Sequence, residues 1–239
     1  MTRTRLVALS GRVLLAVSIV SIPPAGHAAG QRPSREWQQT FPVNAAELAT
    51  TGENPYFILN PGYQSTLEGK ESGKTVRLVV SVLEITKTIG GIEARVVEER
   101  ETEDGVLVEV SRNYMAIHKT THDVYYLGED VDVYKNGKVL NHEGAWLHGT
   151  GGAKLGLMMP GSPVVGQRYY QEVAPKVAMD RAEIVSVSER VNTPAGAFVN
   201  CLKTEESTPL EPGRESKLYA PGVGLVKDGP LVLVSYTQR

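Results

Sequence analysis

The residues best suited to chemistry gather in one stretch, YYLGEDVDVYKNGKVLNHEGAWLH, from Tyr125 to His148. It carries Glu129, Asp130, Asp132, His142, Glu143, Trp146 and His148 around a central Asn136-Gly137. Asn-Gly favours the positive φ angles of a two-residue hairpin turn, so the flanking segments should pair as strands. Counting outward sets Tyr134 against Val139, Asp132 against Asn141, Asp130 against Glu143 and Leu127 against Trp146. Side chains alternate along a strand, so the hairpin has two faces of different character. One bears Asp130, Asp132 and Glu143. The other bears Tyr125, Glu129, His142, Trp146 and His148 among Leu127, Val131, Val133 and Leu140, and this apolar majority makes it the inner face.

Each face suggests a different chemistry. A carboxylate among apolar groups is costly unless paired or solvated. Glu129 and His142, as diagonal neighbours, would then either satisfy each other or serve as an acid–base or ligand-binding pair. Tyr125, Glu129, His142, Trp146 and His148 are therefore the candidate ligand-binding residues. On the outer face Asp130 and Glu143 repel across the ladder, with Asp132 alongside. A hard cation such as calcium would relieve that repulsion, although the spacing is not that of a calcium-binding loop and solvated acids are the simpler reading. A one-residue bulge would exchange the faces beyond it.

Other chemistry is not indicated. His118 and His122 flank a turn rather than share a helix face, and H-E-x-x-H is absent. So is the nucleophile elbow G-x-S-x-G. The run GTGGAKLGLMMPGSPVVG lacks the Gly-Lys-Ser/Thr ending of a phosphate-binding loop, and no cofactor is expected. Its apolar Met158 and Met159 suit a crossover or lid. The single cysteine, Cys201, excludes an intramolecular disulfide and reads as a small packed apolar residue.

The elements that must position these residues are strands. TVRLVVSVLEITKTI ends in Gly90-Gly91, IEARVVEERE in Asp104-Gly105, and VLVEVSRNYMAIH follows. Glycine-containing dipeptides between β-branched runs are hairpin signals. Further strands fit RAEIVSVSERV, AFVNCLKTEES, ESKLYA, and GLVK or LVLVSYTQ. The spacing predicts an all-β antiparallel meander of about nine to eleven strands, forming a closed or half-open barrel. One short helix is expected at NAAELATTG, capped by Asn44 with Glu47 three residues on.

The chain begins with Arg3, Arg5 and Arg12, an apolar run from Val13 to Ile22, and small residues at Gly26 and Ala28. This is the layout of a secretory signal cleaved after Ala28. The run is about half the ~20 residues of a membrane-spanning helix. Residues 1–28 are thus read as a signal peptide, 29–53 as a polar lead with the short helix, and 54–239 as a single β domain. Loss of three arginines would make the formal net charge of −2 more negative. The basic residues are scattered, which argues against nucleic acid and anionic membrane surfaces. No membrane span remains after cleavage, and nothing sets the oligomeric state.

Several phrases also carry a resemblance: NPYFILNPGYQSTLEG, MMPGSPVVGQRYYQE, TPAGAFVNCLKTEESTPLEPG and KLYAPGVGLVK. Together they resemble a family of uncharacterised exported bacterial proteins, and the C-terminal phrases are similar to TapB-like proteins. The resemblance implies an envelope location, periplasmic or extracellular, and a β-rich fold. It transfers no catalytic residue. The expected function is binding of a lipid or other amphipathic small molecule, or assistance in envelope assembly. The competing readings are a structural envelope module with a filled core and an enzyme using Glu129 and His142.

Overall fold

The computed structural model describes residues 36–237. The expected signal peptide, the start of the expected polar lead and the last two residues lie outside them. The described chain is all-β. Its early strands are β1 (Leu48–Ala49), β2 (Glu53–Asn54), β3 (Phe57–Ile58), β4 (Gln64–Glu71) and β5 (Lys74–Ile89). Next come β6 (Ile92–Glu103), β7 (Val106–His118), β8 (Val124–Lys135), β9 (Lys138–Asn141), β10 (Trp146–Leu147) and β11 (Gly156–Met159). The last are β12 (Arg168–Tyr170), β13 (Arg181–Thr193), β14 (Gly196–Ser207), β15 (Glu215–Ala220), β16 (Gly224–Asp228) and β17 (Leu231–Tyr236).

The long hairpins form where the dipeptides predicted them. Gly90-Gly91, Asp104-Gly105 and Asn136-Gly137 all take positive φ at both positions, as does Ser72-Gly73 between β4 and β5. Fifteen of these strands join one antiparallel sheet whose path runs β10-β8-β7-β6-β5-β4-β17-β16-β15-β14-β13-β12, and β2 and β3 pair by themselves. The sheet consists of two meanders, joined where β4 meets the last strand: Leu67 lies opposite Leu233.

The closed barrel of the expectation is not formed, because no ladder joins the two ends of the sheet. The ends nevertheless approach. An isolated bridge pairs Lys154 with Val173, and a Cβ on Gly156 would fall 2.0 Å from the Gln171 carbonyl oxygen.

Two other expectations are corrected. The helix at residues 44–52 is reduced to a single 3-10 turn, Ala45–Glu47, with the Asn44 side chain accepting from the Ala46 amide. So short a helix is marginal in itself, and three tertiary contacts pull the chain straight. Leu48 pairs with His118 and buries its side chain. Buried Arg95 donates to the Thr50 carbonyl at 3.0 Å and the Thr51 hydroxyl at 3.0 Å. The glycine-rich connection is not a lid: its apolar middle is β11, paired with β8, and Met159 is fully buried.

Candidate functional site

Register sets which side chains share the inner face of the first meander. Three rows cross it: Leu67–Leu78–Glu101–Glu109–Val133, Ser65–Val80–Glu99–Ser111–Val131, and Val82–Val97–Asn113–Glu129–Trp146. The apolar ends of these rows belong to the core, while Glu99, Glu101, Glu109 and Glu129 are half-buried. Among the interleaved residues the charged ones pair with one another, as in Arg112 Nη1 to Asp132 Oδ2 at 3.1 Å, beside buried Val110 and Thr66.

A bulge on β8 decides which tyrosine joins Glu129. Asn113 faces Glu129 and Met115 faces Tyr126, so Leu127 and Gly128 together oppose the single residue Tyr114. Gly128 takes φ +130°, and a Cβ there would sit 2.3 Å from the Trp146 carbonyl oxygen. The extra residue reverses alternation. Tyr126, not Tyr125, shares the face of Glu129, donates to Asn113 Oδ1, and packs edge-on against Trp146 with ring centroids 5.4 Å apart. Tyr125 turns the other way, 6.3 Å from the Phe41 ring.

A second bulge displaces His142. Tyr134 faces Val139 as expected, but Val133 faces Asn141, leaving Leu140 as the extra residue. His142 is therefore exposed beside the outer acid Asp132, its Nδ1 3.0 Å from Oδ1. His148 accepts from the Leu155 amide through Nδ1 at 3.0 Å and lines a separate surface cleft of about 290 Å³ with Phe41 and Lys154. Of the five candidate ligand-binding residues, the fold brings together Glu129 and Trp146. Tyr125, His142 and His148 are elsewhere.

The outer acids do not converge either. Asp130 accepts from Lys87 Nζ at 2.8 Å and from the Tyr114 hydroxyl. Asp132 engages Arg112 and His142, and Glu143 is exposed beyond them. Among the described residues no three histidine, cysteine or acidic side chains are arranged to hold a metal ion.

The groups that sequence reasoning missed arrive from the far end of the chain. Glu172 and Asp180, on the segment between β12 and β13, face Glu129 across the gap. Burial first, and Glu129 and Asp180 next, hold the Glu172 carboxyl well above the usual carboxylate range. Glu129 is pushed up to about 8, again chiefly by burial, against the opposing pull of the Tyr126 hydroxyl. The Trp146 N–H is directed at the Glu172 carboxyl and partly offsets the effect of burial there.

In the second meander the inner rows run Leu231–Asp228–Lys217–Thr204–Ile184 and Glu215–Glu206–Ala182–Tyr169. Lys217 Nζ lies 3.0 Å from Glu206 and 4.0 Å from Asp228. Glu206 also accepts from Thr204 at 3.0 Å and from Gln171 and Tyr219 at 3.3 Å each.

A wider cleft of about 660 Å³ opens at Asn54, His122, Asp123 and Gly161. Its polar groups are taken up in holding loops together. Asn54 donates to the carbonyls of His122 at 2.9 Å and Pro160 at 3.0 Å, and Asp123 accepts from the Gly161 amide at 2.8 Å. Cys201 is fully buried, as a packed apolar residue would be.

Fold and site together describe an all-β antiparallel protein with an acid-lined inner face. No family model matches the chain, and no curated protein matches it in sequence. Among solved structures the chain is similar to one from Parabacteroides distasonis ATCC 8503 described as a "putative lipoprotein". The identity is 14% and the TM-score 0.37, over 74% of this chain and 96% of that one. So distant a likeness transfers neither activity nor ligand.

Proposed function

We propose that the protein is exported and holds an amphipathic molecule against the inner face of its unclosed sheet. The observation that carries this reading is the composition of the inner rows. Leu67, Leu78, Val80 and Val82 stand in register with Glu101, Glu99 and, across Val97 and Asn113, Glu129. Leu67, Leu78 and Val82 are core residues, so the ligand would meet half-buried Val80 beside Glu99, Glu101 and Glu129, a pairing that suits an apolar body with a polar head. Export is supported by the order of charges, apolar run and small residues in the first 28 positions. The resemblance of several phrases to uncharacterised exported bacterial proteins agrees with it. The enzyme reading loses its support, since Glu129 and His142 lie on opposite faces.

The test uses Trp146, whose indole borders the acidic flank. Titrating lysophosphatidylcholine or oleate into protein secreted by its own host should give a saturable change in emission, and Trp146→Phe should remove most of it. Trp37, the other tryptophan, supplies the background. The intact mass of that protein should begin at Ala29. A Trp146 signal that stays flat with every amphipath would instead favour a structural module with a filled core.

A further inference from the structure

Away from the acidic inner face, the surface cleft of about 290 Å³ lies between two segments far apart in sequence. One is residues 39–43; the other is the turn 148–155 between β10 and β11. The first is fastened on both sides. Before it, the Gln38 amide donates to the Arg168 carbonyl at 3.0 Å, and the Gln38 carbonyl accepts from the Tyr170 amide at 2.9 Å. The Trp37 ring packs under the Arg181 guanidinium, 4.4 Å from its centroid. Within it, Phe41 is buried with its ring 6.3 Å from that of Tyr125. The second segment is held near its end, where the Lys154 amide donates to the Val173 carbonyl at 2.8 Å. Both walls are therefore in place before any ligand arrives, and binding loses little to ordering them.

The lining has one electrical sign. It holds Lys154 and no carboxylate. His148 adds a donor of fixed position. Its Nδ1 accepts from the Leu155 amide at 3.0 Å, so the neutral ring carries its proton on Nε2. Burial lowers the His148 pKa and so favours that neutral form. The ring rests on the β5–β6 turn, where a Cβ on Gly90 would fall 2.7 Å from its Cδ2. Gln39 and Thr40 supply further polar groups, and Phe41, Val43 and Leu155 supply apolar surface.

We propose that this cleft binds a short-chain monocarboxylate, with the anion at Lys154 and the His148 Nε2–H and the chain on Phe41, Val43 and Leu155. The ammonium attracts the charge, and the imidazole N–H gives the hydrogen bond a direction. Small-molecule pockets begin at about 300 Å³, so a chain of a few carbons fits here and a whole lipid does not. The site is distinct from the inner face proposed to hold an amphipath, and neither reading depends on the other.

Chemical-shift titration of the isotope-labelled full chain with hexanoate tests the proposal. The Leu155 amide, bonded to the His148 ring, should shift saturably with a Kd on the order of 1 mM, the scale for a ligand of this size. Acetate, which lacks the chain, and hexanol, which lacks the charge, should each bind about tenfold or more weakly. Lys154→Gln should weaken hexanoate by about fivefold or more. His148→Asn keeps an acceptor for the Leu155 amide while removing the Nε2–H, and should weaken it by about threefold or more. The proposal is overturned if hexanoate leaves the Leu155 amide unshifted, if acetate or hexanol matches it, or if either variant binds it as tightly as the wild type. Oleate binding read at Trp146 is a separate measurement, and its failure leaves this result intact.

Discussion

The two meanders both place carboxyls on the inner face, and they manage them in opposite ways. In the second, Glu206 and Asp228 are gathered around Lys217, and hydroxyl and amide donors complete the shell of Glu206. In the first, the rows bearing Glu99, Glu101, Glu109 and Glu129 contain no basic residue. The second meander compensates charge with charge around Lys217. In the first meander burial pushes the Glu129 carboxyl up to about 8, and beside the Lys217 cluster burial and Asp228 push Glu215 up to about 7. The difference teaches where charge is left to burial alone: in the row of Glu129, which holds no basic residue, and not around Lys217.

The comparison can be broken most forcefully at Lys217. Replacing it with methionine leaves Glu206 and Asp228 facing each other without their cation, and removing one partner from a buried ionic cluster costs about 3–5 kcal/mol. Urea denaturation at pH 7 should show a loss of that size. A cost below about 1 kcal/mol would mean the cluster is solvated and the contrast between the meanders is false.

Gly128→Ala should come next, at about 2–4 kcal/mol, through a Cβ forced against the Trp146 carbonyl in a backbone conformation that disfavours side chains. The Tyr126–Trp146 contact should be lost with it, visible in the near-ultraviolet circular dichroism. An unchanged spectrum would show that the bulge does not control which tyrosine joins Glu129.

The pH profile is a smaller effect. Because Glu129 binds its proton more tightly in the folded state, stability should fall as pH rises from about 4.5 to about 8 and level off above that. Glu129→Gln should flatten this limb and stabilise the protein at pH 9 by on the order of 1–2 kcal/mol. A wild-type profile that rises over the same interval would place Glu129 in an ion pair.

The outer face should respond least. Asp130 and Lys87 are each roughly half exposed, and Asp130→Asn should shift stability by only about ±0.5 kcal/mol. Calcium should leave the melting temperature unchanged. A rise with calcium that disappears in Asp130→Asn would move the working face to the other side of β8.

What the sequence made legible follows from how local each signal is. Asp104-Gly105 and Asn136-Gly137 announce their turns because only a few residue types accept positive φ, and every hairpin built on them formed. The strand Gln64–Glu71 was hidden because QSTLEGKE lacks a β-branched alternation. The two bulges were harder still. Gly128 inside a strand was the available sign of one, and it exchanged Tyr125 for Tyr126. Leu140 gave no such sign, and its bulge carried His142 to the outer face. Glu172 could not have been assigned to Glu129 at all. Forty-odd residues separate them, and only the curl of the whole sheet brings them together.

The meeting of β4 with β17 has a consequence for how the molecule comes into being. The middle of the sheet is built from the last residues of the described chain, with the Thr237 amide donating to the Gln64 carbonyl at 2.8 Å. During synthesis, the N-terminal meander can zip up hairpin by hairpin. Its β4 edge stays bare until Leu231–Tyr236 arrives. Until then the polypeptide is two half-sheets with open flanks, a form prone to pairing with other chains. Joining them closes a loop spanning most of the sequence, so it should be the slow event in assembly.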